Sequence, residues 1–249
     1  MVAKAPFWVR GAGAVALIAA LMVAAAGPLT RFGALHFRTA IQTLGIAGMV
    51  AGVAALVCLI AVFVMRRRAG RPGLRLAVAG VVAGGIAFGF VAMLVSTARG
   101  VPPIHDISTD TVDPPQFVAI LPLRAGADNS PEYAGEEVAS QQRAAYPAIR
   151  TYTFPTTPEA LAERTVKSME AMGWDVVAVA PAEGRVEATV TTAWFGFKDD
   201  VVVRIRPAAE GATFDVRSKS RVGLSDLGAN AARITMLIER VQGYYPKKM

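Results

Sequence analysis

The sequence predicts an α+β protein in two parts: three transmembrane helices, then a soluble domain whose antiparallel sheet carries two helices on one face. Three observations lead there. Three long stretches contain no charged side chain, every acidic residue lies beyond them, and four segments of alternating side chains stand between two of helical period.

The apolar stretches are 11–30, 39–65 and 76–98. At about 1.5 Å rise per residue, each spans a hydrocarbon core of about 30 Å. Burying three such helices inside a soluble protein would take a larger core than 249 residues provide. The first stretch also has features of a cleavable signal peptide, with Lys4 and Arg10 before it and Ala24, Ala25 and Ala26 near its end. It is long for that role and runs on through Gly27, Pro28 and Leu29, so it is read as a span. Small residues recur at helix-packing spacing in Gly48 and Gly52, Gly80 and Gly84, and Gly85 and Gly89, which predicts close packing within the bundle. No Asp, Glu, Lys, Arg or His lies within the spans, which argues against a proton relay or a charged-substrate path.

The chain carries a net charge of +7, but the charge is partitioned. Residues 1–98 hold nine basic residues and no acid, while the remainder holds 17 basic and 19 acidic residues. Nucleic-acid binding requires a cationic folded domain, so no nucleic-acid partner is expected. Between the second and third spans stand Arg66, Arg67, Arg68, Arg71 and Arg75, which the positive-inside rule holds in the cytoplasm. The amino terminus is then cytoplasmic, and the loop with Arg31, His36 and Arg38 faces outward with everything after Arg99. With Cys58 the only cysteine, neither an intrachain disulfide nor a thiolate zinc site can form.

Three regions follow: 1–100 as the transmembrane part, 101–148 as an extended linker packed on the domain, and 149–249 as the α+β domain. Pro102, Pro103, Pro114, Pro115, Pro122 and Pro131 break any helix in the linker, apart from a short one within 130–143. Residues 149–154 read as a strand. Thr157 and Pro158 supply a helix cap and first turn, and Gly173 a helix stop. Strands are predicted at 174–180, 185–193, 199–206 and 212–221, and an amphipathic helix at 226–242. The connections are too short for parallel crossovers. By topology this order resembles the TATA-binding-protein fold or a helix-grip arrangement, a likeness that transfers no function.

Alternation assigns Val186, Ala188, Val190, Val201, Val203, Ile205, Phe214 and Val216 to the face under the helices. The opposite face then carries Arg185, Glu187, Thr189, Thr191, Arg204, Arg206, Asp215, Arg217, Lys219 and Arg221. One reading is a solvated sheet face, as antiparallel sheets often have. The other is an anion-binding concavity of Arg204, Arg206, Arg217, Lys219 and Arg221, because the guanidinium fork fits phosphates and carboxylates.

Polar residues gather in three runs: PPIHDISTD at 102–110, WFGFKDD at 194–200, and SRVGLSDLGANAARI at 220–234. They include His105, Asp106, Asp110, Trp194, Phe195, Phe197, Asp199, Asp200, Ser225, Asp226 and Asn230. At these runs the chain resembles the family numbered 1499 among domains of unknown function, over about residues 102–241. The resemblance implies a membrane-associated or exported domain and supplies no activity, catalytic residue or cofactor. On the residues themselves, Ser225 or Asp226 caps the last helix, Gly223 and Gly228 permit the tight turn before it, and Asp199 and Asp200 pair with arginines. Trp194, Phe195 and Phe197 are core or rim aromatics at a strand bend, and residues 105–110 pin the linker.

A hydrolase using Ser225, His105 and Asp226 is the alternative chemistry, although the second glycine of Gly223-Leu224-Ser225-Asp226-Leu227-Gly228 falls one residue late for a nucleophile elbow. A hard cation held by Asp106, Asp110, Asp199 and Asp226 matches no standard loop, so no metal or cofactor is expected. The expectation is a membrane-anchored, extracytoplasmic binding or interaction module of the bacterial envelope. Its partners would be the bilayer and either an anionic ligand or an envelope protein; a structural subunit of a membrane complex is a further alternative.

Overall fold

A computed structural model describes residues 4–243. The chain forms two units, one of Met1–Thr97 with Ala193–Gly196 and one of Ala98–Thr192 with Phe197–Met249.

In the first unit, α1 (Phe7–Arg31), α2 (Phe37–Arg66) and α3 (Leu74–Gly100) are each long and apolar enough to cross a membrane. Their packing inverts that of a soluble bundle. Small residues such as Ala16, Ala51, Ala54 and Ala77 fill the interior, whereas Leu21, Val53 and Ile86 are about two-thirds exposed, as suits helices solvated by lipid. Glycine sets the closest approaches. A Cβ at Gly48 would strike Val91, one at Gly80 would strike Cys58, and one at Gly84 would lie 2.6 Å from the Ala51 carbonyl oxygen. Gly85 and Gly89 meet nothing, so this third pair, expected to pack within the bundle, faces outward. The turn between α2 and α3 is tight, with positive φ at Gly70, Arg71 and Gly73, and Gly73 packs against Ala5 and Val9 at the start of α1.

The second unit is a six-stranded antiparallel sheet with helices on one face. Its strands are β1 (Asp106–Ser108), β2 (Tyr152–Phe154), β3 (Asp175–Ala180), β4 (Arg185–Thr191), β5 (Lys198–Ala208) and β6 (Gly211–Ser220), in the order β1-β6-β5-β4-β3. β2 shares the outer edge of β6 with β1: β1 pairs with residues 217–219 and β2 with residues 212–214. Helices α4 (Glu136–Ala145), α5 (Pro158–Ala171) and α6 (Ala229–Gln242) complete it. The core lies where alternation placed it, with Val186, Ala188, Val201, Val203, Ile205, Phe214 and Val216 packed under Leu161 and Met169 of α5 and Ile234, Leu237 and Ile238 of α6.

Local chemistry accounts for the boundaries. The Thr157 side chain accepts from Ala160 N at 3.3 Å, Pro158 opens α5, and Gly173 at φ +72 follows its end. The strand expected at 149–154 is shortened to Tyr152–Phe154, because Ile149 N instead closes a turn onto Tyr146 O. Helix α6 starts at Ala229 and not near Asp226, because Leu227 and Gly228 turn the chain at positive φ first. The region read as a linker contributes strand β1 and a 3-10 turn at Leu121–Arg124. Gln142 seals the outer edge of β1: its Nε2 donates to Ser108 O at 2.6 Å and its Oε1 accepts from Ser108 N at 2.9 Å, standing in for a neighbouring strand.

Candidate functional site

The sheet face opposite the helices concentrates the polar chemistry, and residues 106–135 supply partners for it. From β1, Asp106 takes a bidentate pair from Arg217, Nε to Oδ1 and Nη2 to Oδ2, both at 2.9 Å. Lys219 Nζ reaches the same Oδ2 at 2.9 Å. All three side chains are at least 96 % buried. Arg217 also donates to the carbonyls of Pro115 and Pro131, and its guanidinium lies over the rings of Phe117, at 4.9 Å, and Tyr133, at 5.3 Å. Lys219 donates as well to Glu132 O. Burial pulls the Lys219 ammonium below its ordinary value, with Asp106 opposing the shift.

Asp200 is the second buried anion. It accepts from Arg124 at 2.6 Å, from Nε and Nη2 of Arg221 at 2.8 Å each, and from the Thr189 hydroxyl at 2.7 Å. Glu187 is the third: fully buried and paired with Arg185, it accepts from the backbone N–H of Val118, Ala119 and Ile120 and so fixes the start of the 3-10 turn. Beside it, Phe117 and Ile120 pack on Val202. Nearer the rim, Arg204 bonds Asp110, Asp113 and Asp215 at 2.9–3.0 Å, and Arg206 reaches Asp113 at 3.2 Å. Burial acts to raise the Asp110 carboxyl. The backbone N–H groups of Asp113 and Val112, together with Arg204, outweigh it and hold the group below its usual value.

Each of the five cations assigned to an anion-binding concavity, Arg204, Arg206, Arg217, Lys219 and Arg221, is therefore bonded to a carboxylate of this chain. Alternation identified the face and the cations. It did not supply Arg124, which lies in irregular chain and offers no periodic signal. Asp106, Asp110 and Asp200 were singled out by sequence, and all three serve here as acceptors.

A second polar cluster sits on the helix side, at the start of α6. Arg233 donates to Asp199 at 2.7 Å and to Ser218 Oγ at 3.2 Å, and it also bonds Asn230 Oδ1. Asn230 Nδ2 bonds His105 O and Ser220 Oγ, each at 3.0 Å. Asp226 accepts from Gly228 N and Asn230 N, each at 2.8 Å, and so caps α6 from outside it; burial raises its carboxyl. His105 Nδ1 lies 3.4 Å from Leu224 O, and Ser225 Oγ accepts from Leu227 N at 3.3 Å. Among the described residues no hydrogen bond joins His105, Ser225 and Asp226, so they do not form a nucleophile, base and orienter chain. Asp106, Asp110, Asp199 and Asp226 likewise have separate partners, and the described residues contain no cluster of three or more metal-ligating side chains.

Thr192 and Phe197 close a turn through Thr192 N to Phe197 O and Phe197 N to Thr192 Oγ1. Within the first unit, Trp194 lies edge-on to Phe90 at 5.0 Å and to Phe195 at 4.8 Å. No curated protein compared with the chain matches it. One family model does, over residues 106–241, opening on the Asp106 that anchors Arg217 and Lys219 and closing at Val241 of α6. With more than half of its length covered, the chain belongs to the family described as protein of unknown function (DUF1499).

Proposed function

We propose that this protein is a membrane-anchored interaction module of the bacterial envelope, resident in the inner membrane, with its amino terminus in the cytoplasm and its α+β domain on the periplasmic side, where it binds an envelope protein. The orientation is supported by Arg66, Arg67, Arg68, Arg71 and Arg75 in the turn between α2 and α3, set against Arg31 and Arg38 between α1 and α2. A cytosol-dependent reporter fused after Met249 is expected to stay silent, and a periplasm-dependent one to be active. The reverse pattern would overturn the orientation.

The binding role is carried by one observation. The segment over the sheet buries Phe117 and Ile120 against it but leaves other apolar side chains in the open: Val112 is 93 % exposed, and Val118, Leu121 and Leu123 are 43–51 % exposed. Exposed apolar side chains gathered on one segment suit a protein partner. The cations that would draw an anionic ligand are held by carboxylates, which favours the protein partner over the anion. A photo-crosslinking residue at Leu121 or Leu123 is expected to trap one stoichiometric envelope protein, and Leu121→Glu with Leu123→Glu to abolish the adduct while the thermal transition is retained. An unchanged adduct would exclude this surface.

A further inference from the structure

The first unit carries a second charged feature that the proposed interaction does not use. At one end of the bundle, three separate pieces of chain meet: the residues before α1, the end of α2 and the start of α3. They are held together by Val9, Ala61, Met65 and Ala77, with Trp8 and Leu74 packed against them, and by Gly73 seated on Ala5 and Val9. This packing gathers Lys4, Arg10, Arg66, Arg67, Arg68, Arg71 and Arg75 around one end, and all seven are exposed. None forms a salt bridge among the described residues, and residues 1–98 contain no carboxylate to neutralise them. This is the opposite of the sheet domain, where each of the five cations named above is bonded to a carboxylate.

Geometry adds to charge. The turn is compact, and Arg71 is held at φ +46, a conformation that a side-chain-bearing residue rarely adopts. Seven like charges on a compact end repel one another, and bulk water screens them only in part. Trp8, with its polar indole N–H, sits at this same end, the usual depth for a tryptophan at the boundary between lipid tails and headgroups. Arginine's planar fork binds a phosphodiester through two parallel hydrogen bonds.

We propose that this end of the bundle binds the headgroups of anionic phospholipids, whose phosphodiesters supply the counter-charge absent from residues 1–98. The site is a collar of arginines at headgroup depth, and its occupants keep their acyl chains in the bilayer. The assignment does not depend on which side of the membrane the collar faces, nor on the interaction proposed above.

The test uses the full chain reconstituted in vesicles of equal phosphatidylglycerol and phosphatidylcholine with matched acyl chains, followed by native mass spectrometry of the released protein. Phosphatidylglycerol is expected on the protein in about fivefold excess or more, the factor that one headgroup-facing cation supplies. The variant R66Q/R67Q/R68Q/R71Q, which keeps only Lys4, Arg10 and Arg75 at this end, is expected to lower that excess severalfold. Its lysine counterpart R66K/R67K/R68K/R71K, which keeps the charge, is expected to retain most of the excess, and Arg38→Gln at the other end all of it. Parity on the unaltered chain, or an undiminished excess on the glutamine variant, would overturn the proposal. Loss of the lipid to excess inorganic phosphate would also overturn it, by assigning the collar to a free anion.

Discussion

At the residue scale, the side chain with most at stake is Arg217. It is fully buried, and its donors are spent on Asp106 and two proline carbonyls. Desolvating an arginine costs several kcal/mol, which the pair offsets only while it stays intact. Asp106→Ala would strand both Arg217 and Lys219, and is expected to cost roughly 3–5 kcal/mol in chemical denaturation. Arg206→Ala removes an ion pair more than half exposed on both sides and is expected to cost less than about 1 kcal/mol. Equal losses would mean that burial does not set the worth of these pairs. Beside Arg217, the Tyr133 hydroxyl is buried with no hydrogen-bond partner among the described residues, and burial, with Asp106 adding to it, pushes its pKa up to about 12. Tyr133→Phe removes an unsatisfied group and is expected to raise stability by about 1 kcal/mol. Two aspartates titrate with opposite signs. Asp110, held below 3.8, contributes stability that is present above that pH and lost as pH falls through its folded value. Asp226, raised above 3.8, contributes stability that is present below that pH and lost as pH rises through its folded value. Asp110→Asn should therefore flatten the acid limb of the stability profile and Asp226→Asn the limb above it. An effect on the same limb from both would refute the assignment.

At the element scale, what could be read from the sequence was what repeats locally. The spans follow from long charge-free runs, and helix α5 and strands β3–β6 from periods of 3.6 and 2, with caps such as Thr157 marking α5 within a few residues. The covering segment has no period. Its bonds to the sheet join residues 67 to 113 positions apart, as from Ile120 to Glu187 and from Asp106 to Lys219, and nothing local to Arg124 or Asp106 specifies them. Glycine spacing was a partial guide for the same reason: it marks positions where helices can approach and does not say which face does. That distinction is open to measurement. Gly84→Ala would press a methyl group against the Ala51 carbonyl, whose backbone cannot rotate aside, and is expected to destabilise the bundle by about 1–3 kcal/mol. Gly85→Ala and Gly89→Ala meet open space and are expected to leave the thermal midpoint in detergent unchanged or slightly raised. A larger loss at Gly85 than at Gly84 would mean that the bundle packs through the other face.

At the scale of the whole molecule, the charge partition visible in the sequence has two physical outcomes. Cations in the first 98 residues have no acid among them, whereas those on the sheet face are matched by Asp106, Asp110, Asp113, Asp200 and Asp215, largely from the region that reads as linker. The second unit is thus built in three layers: helices α5 and α6, the sheet, and the segment 106–135. Without that segment, Arg217, Lys219 and Glu187 keep their charges but lose most of their partners, Asp200 loses Arg124, and Val202 loses Phe117 and Ile120. The family match, which opens at Asp106 and not at the regular alternation near residue 149, falls on the same boundary. A chain of residues 98–249 is therefore expected to show a cooperative thermal transition and dispersed amide resonances. A chain of residues 149–249, which retains α5, α6 and strands β2–β6, is expected to show neither. Cooperative folding of the shorter chain would reduce the segment to a covering laid over a domain that is complete without it.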